Sequence, residues 1–229
     1  MILQITMTIY DKLYGTREYE ILKSLETIYE DIEKKQSAWK EASNVTCPDG
    51  CGTCCVNFEP DILESEALYL AAWMLENQKE KAYEIISDKF VPKRSNPEAG
   101  CFLFDEKSPY HCSVYGGRCL ICRLFGFSGD RGKDGLVRWK PCHFLPEKNL
   151  HSLQHKQYSE KELNSIFNAL PPTMCDFMEQ AINLTPGHTG DTKPLRKALK
   201  EAIIKIVFLT SFNDNNNGGT VSNSEPMSA

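Results

Sequence analysis

The chain has 229 residues, 41% hydrophobic and 25% charged, with a formal net charge of −5 at pH 7 and ten cysteines. That length exceeds a disulfide-stapled miniprotein, and the apolar fraction can build a core without covalent staples. The acidic balance offers no basic field to nucleic acid, and no run approaches the roughly 18–20 apolar residues that span a bilayer.

The first stretch, Met1 to Tyr10, is mildly apolar, but no basic segment precedes it and Asp11 follows, which argues against an export signal. The expected compartment is therefore the cytoplasm, where thiols stay reduced. From about Thr16 to Lys40, Ile21, Leu22, Leu25, Ile28, Tyr29 and Ile32 recur at three- and four-residue steps and predict an amphipathic helix. Asn44, Pro48 and Gly50 then mark a loop. A second helix is expected after Asp61, with Ala67, Leu68, Leu70, Ala71, Met74 and Leu75 inward, and a third over Glu80 to Phe90, closed by Pro92.

Short apolar runs at Cys101 to Phe104 and His111 to Tyr115 flank a turn-like segment and predict a β-hairpin. The loop from Ser128 to Gly135 leads to a short strand at Leu136 to Trp139. Ser159 and Glu162 form a capping-box pattern opening a helix to about Leu170. Further helices are expected over Met174 to Leu184 and Pro194 to about Leu209, the latter with Leu195, Leu199, Ala202, Ile203, Ile206 and Val207 as its stripe. The tail from Asn213 is rich in Asn, Gly and Ser and is expected to be disordered. The expected fold is α+β, predominantly helical: a small single domain with helices around a cysteine-rich loop and a short hairpin. Its parts are an N-terminal helical region (1–43), a cysteine-rich core (44–145), C-terminal helices (146–211) and a tail (212–229).

Four thiols fall within nine positions as Cys47-Pro-Asp-Gly-Cys51-Gly-Thr-Cys54-Cys55, and Cys101, Cys112, Cys119, Cys122 and Cys142 follow. Thiolate is a soft ligand suited to zinc and to iron–sulfur centres. Cys51 with Cys54, and Cys119 with Cys122, show the C-x2-C spacing that presents two sulfurs to one ion. Adjacent Cys54 and Cys55 point apart in most chains, so Cys55 serves a second metal, bridges two, or stays free. Nine cysteines suffice for two four-sulfur sites with one left over, or for one site with spare thiols. His111 and His143 stand beside Cys112 and Cys142 and are alternative ligands. Cys175 reads as a small apolar residue on a helix, and His151, His155 and His188 as surface or loop residues. Cys47-x3-Cys51-x2-Cys54 also has radical-SAM spacing, but the helices that follow do not supply the repeated βα units of that fold.

Taken in order, Cys47 to Cys55, Cys101-Phe-Leu-Phe-Asp105, Cys112-Ser-Val-Tyr115 and Arg118-x3-Cys122-Arg123 resemble the cysteine-cluster family described as zinc- or iron-chelating proteins. The likeness spans roughly residues 44 to 145. It departs at Cys119, where the family pattern has proline. The resemblance implies that Cys47, Cys51, Cys54, Cys55, Cys101, Cys112, Cys122 and Cys142 are metal-associated, with zinc or iron, including an iron–sulfur cluster, as cofactor. It also implies that Arg123 sits beside the centre and donates to thiolate sulfur; an ordinary surface ion pair is the alternative. Some relatives are linked to lysine N-methylation of flagellin, although no glycine-rich strand-to-helix motif for a methyl donor is evident here. Three functions follow: a metal-binding cluster protein, a metal-dependent enzyme acting on a protein, or an interaction module around a structural metal. The expected partner is a metal ion or cluster, with no nucleic acid and no membrane; a protein partner is not identified by sequence.

Overall fold

Thr8 and Asp11 cap each other reciprocally and open a short helix, α1 (Ile9–Leu13). The computed structural model describes residues 7–96, 99–150, 153–185, 187 and 189–217. Thr16 caps α2 (Arg17–Ser43) by accepting the Tyr19 N–H, and Asn44 ends it in the left-handed region at φ 54°. The expected stripe from Ile21 to Ile32 is buried and continues through Gln36 to Trp39. With 27 residues, α2 is about 40 Å long and acts as the spine of the molecule.

After strand β1 (Asp61–Ile62), α3 (Glu64–Asn77) buries nine of its 14 residues, and α4 (Lys79–Ile86) stops short of the expected Phe90. Helix α5 (Leu120–Leu124) precedes strands β2 (Asp130–Arg131) and β3 (Val137–Trp139). Then come β4 (Tyr158–Ser159), α6 (Glu160–Phe167), α7 (Met174–Asn183), β5 (Lys193–Pro194) and α8 (Leu195–Asn217). The Ser159–Glu162 capping box is present at the start of α6. β1 pairs antiparallel with β5, and β2, β3 and β4 form a second small antiparallel sheet. At 53% helix the fold is the predominantly helical α+β expected.

Three apolar cores lie along α2. The largest packs α3 against α8, with Leu68, Leu70, Met74, Leu199, Ile203 and Ile206 almost fully buried and Ile21 and Leu22 contributed by α2. The second joins Leu25, Ile28, Tyr29 and Ile32 to Leu120, Leu124 and Phe177. The third sets Trp39 edge-on to Trp139, ring centroids 5.2 Å apart, beneath the β2–β3–β4 sheet and α6.

Two expectations need correction. The segments at Cys101–Phe104 and His111–Tyr115 form one antiparallel bridge, Phe104 to Cys112, rather than a hairpin of two strands. The intervening chain turns through consecutive left-handed residues, Tyr110 (φ 58°) and His111 (φ 52°), which break the extended geometry a ladder needs. The hairpin lies further on, where β2 and β3 pair across the loop expected between Ser128 and Gly135. Helix α8 runs to Asn217 rather than Leu209. The expectations for residues 1–6, for the tail beyond Asn217, and for His151 and His188 fall outside the described residues.

Candidate metal centre

The first cysteine loop is shaped by its backbone. Gly50 takes φ 70°, and the Cys51 N–H closes a turn onto the Pro48 carbonyl at 3.0 Å. A single 3-10 turn, Thr53–Cys55, follows. It sets the Cys54 and Cys55 sulfurs 3.8 Å apart, closer than adjacent side chains are expected to lie. The Cys101 N–H then donates to the Cys55 carbonyl at 3.2 Å, tying the second cysteine segment to the first. Gly100 permits that approach: its φ is 63°, and a β-carbon there would meet the Val56 carbonyl oxygen and, at 2.6 Å, the Cys55 oxygen. Arg94 clamps the same junction, donating to the Cys101 carbonyl at 3.1 Å and the Val56 carbonyl at 2.5 Å.

The Cys122 segment is held by two buried charges. Glu66, in the first turn of α3, accepts the Leu63 N–H at 2.9 Å and the Leu120 N–H at 2.6 Å, joining the starts of α3 and α5. Burial pushes its carboxyl up to about 6. The Arg123 guanidinium donates to the carbonyls of Arg118 and Gly116 at 2.8 and 2.9 Å, and to Glu33 on α2 at 2.6 Å. Its carbon lies 4.1 Å from the Tyr29 ring centre. None of its described hydrogen bonds goes to sulfur: the buried guanidinium braces the cysteine-bearing loop through backbone carbonyls and also pairs with the exposed Glu33 carboxylate.

These constraints bring eight cysteines to the wall of one cavity of about 390 Å³: Cys47, Cys51, Cys54, Cys55, Cys101, Cys112, Cys119 and Cys122. Their mutual electrostatics divide them. Burial, then Cys51, Cys142 and Cys54, push the Cys47 thiol up to about 12, and burial with Cys54 and Cys51 also raises Cys142. Cys142 therefore stands by the first three cysteines although it follows β3. Burial and then Cys122 and Cys112 raise Cys101 to about 12, despite the Leu103 N–H. Cys112 is raised by burial, with Cys122 adding to it. A hydrogen bond shared with Cys54 raises Cys55, while the same bond lowers Cys54 to about 7, so Cys54 is the partner that ionises first. Cys47, Cys51, Cys54 and Cys142 thus act on one another, as do Cys55, Cys101, Cys112 and Cys122, while Cys54 also acts on Cys55 and Cys112. Cys119, at the position where the family pattern has proline, is raised by the neighbouring Cys122 thiol and by burial.

Of the remaining candidates, His111 packs against Gly52 of the first cysteine loop, where a β-carbon would meet its side chain. His111 approaches the Glu106 carbonyl at 3.1 Å and stacks on Phe104, and His143 packs on Phe144. His155 meets the Leu145 carbonyl at 3.0 Å. Cys175 is on α7 as expected but only partly buried, facing Asp176 at 3.5 Å. Sequence reasoning missed Glu66 and Arg94; an acid in a helix first turn and an arginine in a loop carry no local mark of the distant backbone they bind.

Among the described residues, no three or more His, Cys, Asp or Glu side chains are already gathered tightly enough to hold an ion. The donor set nevertheless suits zinc or iron, being all thiol and grouped in one cavity. Sulfurs about 2.3 Å from one ion in a tetrahedron lie about 3.8 Å apart. The Cys54–Cys55 pair stands at that separation, 3.8 Å. No described helix is long and apolar enough to cross a membrane.

A family model described as "Putative zinc- or iron-chelating domain" and designated CxxCxxCC matches residues 46–181, over half of the chain. No curated protein and no solved structure matches it.

Proposed function

Since the chain belongs to the CxxCxxCC family, we propose that it chelates zinc or iron through Cys47, Cys51, Cys54, Cys55, Cys101, Cys112, Cys122 and Cys142. The observation that carries this reading is the convergence of thiols from five separate segments on one cavity wall and its margin. Cys47, Cys51, Cys54 and Cys142 form one ligand set, and Cys55, Cys101, Cys112 and Cys122 the other. They meet at the Cys54–Cys55 pair, so the adjacent cysteines serve neighbouring ions or a shared one. Cys119 is a buried neighbour of Cys122 rather than a ligand. Bound metal would cross-link these loops and add to folding stability. A reducing cytoplasm, where the thiols stay free to ligate, is the setting we assign.

An iron–sulfur centre is the second form of this reading, favoured by the all-thiol donor set. Anaerobic purification with metal analysis, acid-labile sulfide assay and visible absorption separates the two. Brown protein with iron and sulfide supports a cluster, and colourless protein with stoichiometric zinc supports zinc. Cys54→Ser is expected to lower metal content and Cys175→Ser to leave it unchanged. Full metal content in Cys54→Ser, Cys101→Ser and Cys122→Ser alike would sink the assignment.

A further inference from the structure

Helix α8 carries an apolar ridge on its outer face. Ile204, Phe208 and Phe212 recur at four-residue steps and are 49, 68 and 59% exposed, while Ile203, Ile206 and Thr210 are buried on its inner face. No free charge solvates this ridge. From Ile204 to Phe212 the one charged residue is Lys205, whose ammonium is held by Glu18 and Glu64 at 2.9 Å each.

Beside the ridge runs a groove of about 590 Å³, where the chain entering α1, α3 and α4 approach α8. Met7, Leu75, Tyr83, Val207, Thr210 and Ser211 line it, so its wall on α8 is made by the residues adjoining Phe208 and Phe212. Met7 and Tyr83 are themselves 48 and 42% exposed. The charged residues of the lining are Lys12, Glu76 and Lys79. Glu76 already accepts the Ile9 N–H at 2.9 Å, and lysine stems pack on apolar surface with their heads in water.

A ridge and a groove side by side make this face complementary to itself. Rows of side chains four residues apart are the ridges that enter the grooves of a second helix in the commonest helix-pair geometry. The three ridge residues are also symmetric about Phe208. Under a two-fold axis there, the two Phe208 rings lie beside each other, Ile204 faces Phe212 of the other copy, and each ridge enters the other's groove. At about 200 Å² for a fully exposed side chain of this size, Ile204, Phe208, Phe212, Tyr83 and Met7 present about 500 Å² per copy. Pairing covers about 1,000 Å², the lower limit for a specific interface, which suits a weak, reversible dimer. A lipid surface fits less well: anionic lipid attracts free cations, and Lys193, Lys200 and Lys205 are each paired with an acid.

We propose that a second copy of this chain docks on this face, α8 packed antiparallel on α8, with each Phe208–Phe212 ridge seated in the groove of the other. The inference is independent of the metal reading.

The test uses the full chain as purified, in about 0.15 M salt with a thiol reductant that removes intermolecular disulfides. Sedimentation across about 5–500 µM is expected to show a monomer–dimer equilibrium with Kd of about 10–100 µM. Phe208→Glu sets two carboxylates beside the axis and should weaken the dimer at least about thirtyfold, while Phe208→Met keeps it within about threefold. Ile166→Glu, at an exposed position on α6, should leave it unchanged. The Phe208 ring lies outside the core, so Phe208→Glu should keep the far-ultraviolet helical signal; should that signal fall, Phe212→Lys gives the same reading one turn further along. A chain still monomeric at about 500 µM overturns the proposal, as does a dimer that survives both variants. A dimer that chelator dissociates is bridged by ions and also overturns it. So does a monomeric chain that binds phospholipid vesicles through Phe208, which assigns the face to lipid.

Discussion

Replacing Arg123 by Met tests whether the loop after Gly116 is fixed by a buried guanidinium. The side chain is 5% exposed, and the Glu33 carboxylate it meets is 65% exposed, so that ion pair contributes little. The weight falls on the bonds to the Arg118 and Gly116 carbonyls at 2.8 and 2.9 Å. Hydrogen bonds from a charged donor contribute about 1.5–3 kcal/mol each, and methionine recovers part of the packing on Tyr29. A net loss of about 3 kcal/mol is expected, which lowers Tm by about 6–12 °C in a chain of this size. Thermal unfolding followed by circular dichroism on the protein as purified, with metal content measured in parallel, provides the readout. Arg123→Lys keeps the charge but loses the planar fork that reaches two carbonyls, so it should show most of the same loss. A shift below about 2 °C for the Met variant would refute the bracing role.

Glu66 gives a pH signature. Burial raises its carboxyl from 4.5 to about 6, so between those values the folded chain holds a proton that the unfolded chain has released. Its contribution to stability therefore falls as pH rises from about 4.5 to about 6, by about 2 kcal/mol, and urea titrations across that range should show Glu66→Gln lacking the slope. Gly100→Ala forces a β-carbon onto the Cys55 and Val56 carbonyls in a left-handed residue. A loss of about 1–3 kcal/mol in urea unfolding is expected, with lowered metal content; unchanged values for both would contradict the tight junction. Chelator treatment should lower Tm while the far-ultraviolet helical signal persists below the transition; collapse of that signal at low temperature would show that the helices need the metal.

The helices were legible because their signals are local. The Ile21 to Ile32 stripe of α2 and the Ser159–Glu162 cap of α6 are complete within a few residues. Helix α5 was not, since Leu120–Leu124 is too short to show a period. The hairpin read at Cys101 to Tyr115 had a real cause wrongly placed. Leu103, Cys112 and Val114 are apolar because they face the cavity, not because they alternate across a sheet. At the candidate site, the motif marks cysteines that line one cavity but carries no sign of how they are arranged there. Cys142 joins Cys51 and Cys54 from far along the chain, which depends on how β3 and its neighbours pack.

The helical cores and the cysteine loops are stabilised by different means, and this bears on what the metal has to do. Small zinc domains lack a sufficient core and fold only when metal is bound. Here α3 and α8 bury their own apolar surface, and α2 carries that packing to the edge of the cavity. The loops between have little regular structure, but each is already anchored to a neighbour through backbone: Cys101 to Cys55, with Arg94 across both segments, Leu120 to Glu66, and Gly116 and Arg118 to Arg123. All of these partners are protein groups. What remains for the metal is the last step, drawing thiols that share a wall into a ligand shell. On this reading the helices should keep their fold when the ion is removed, which the chelator experiment reads directly.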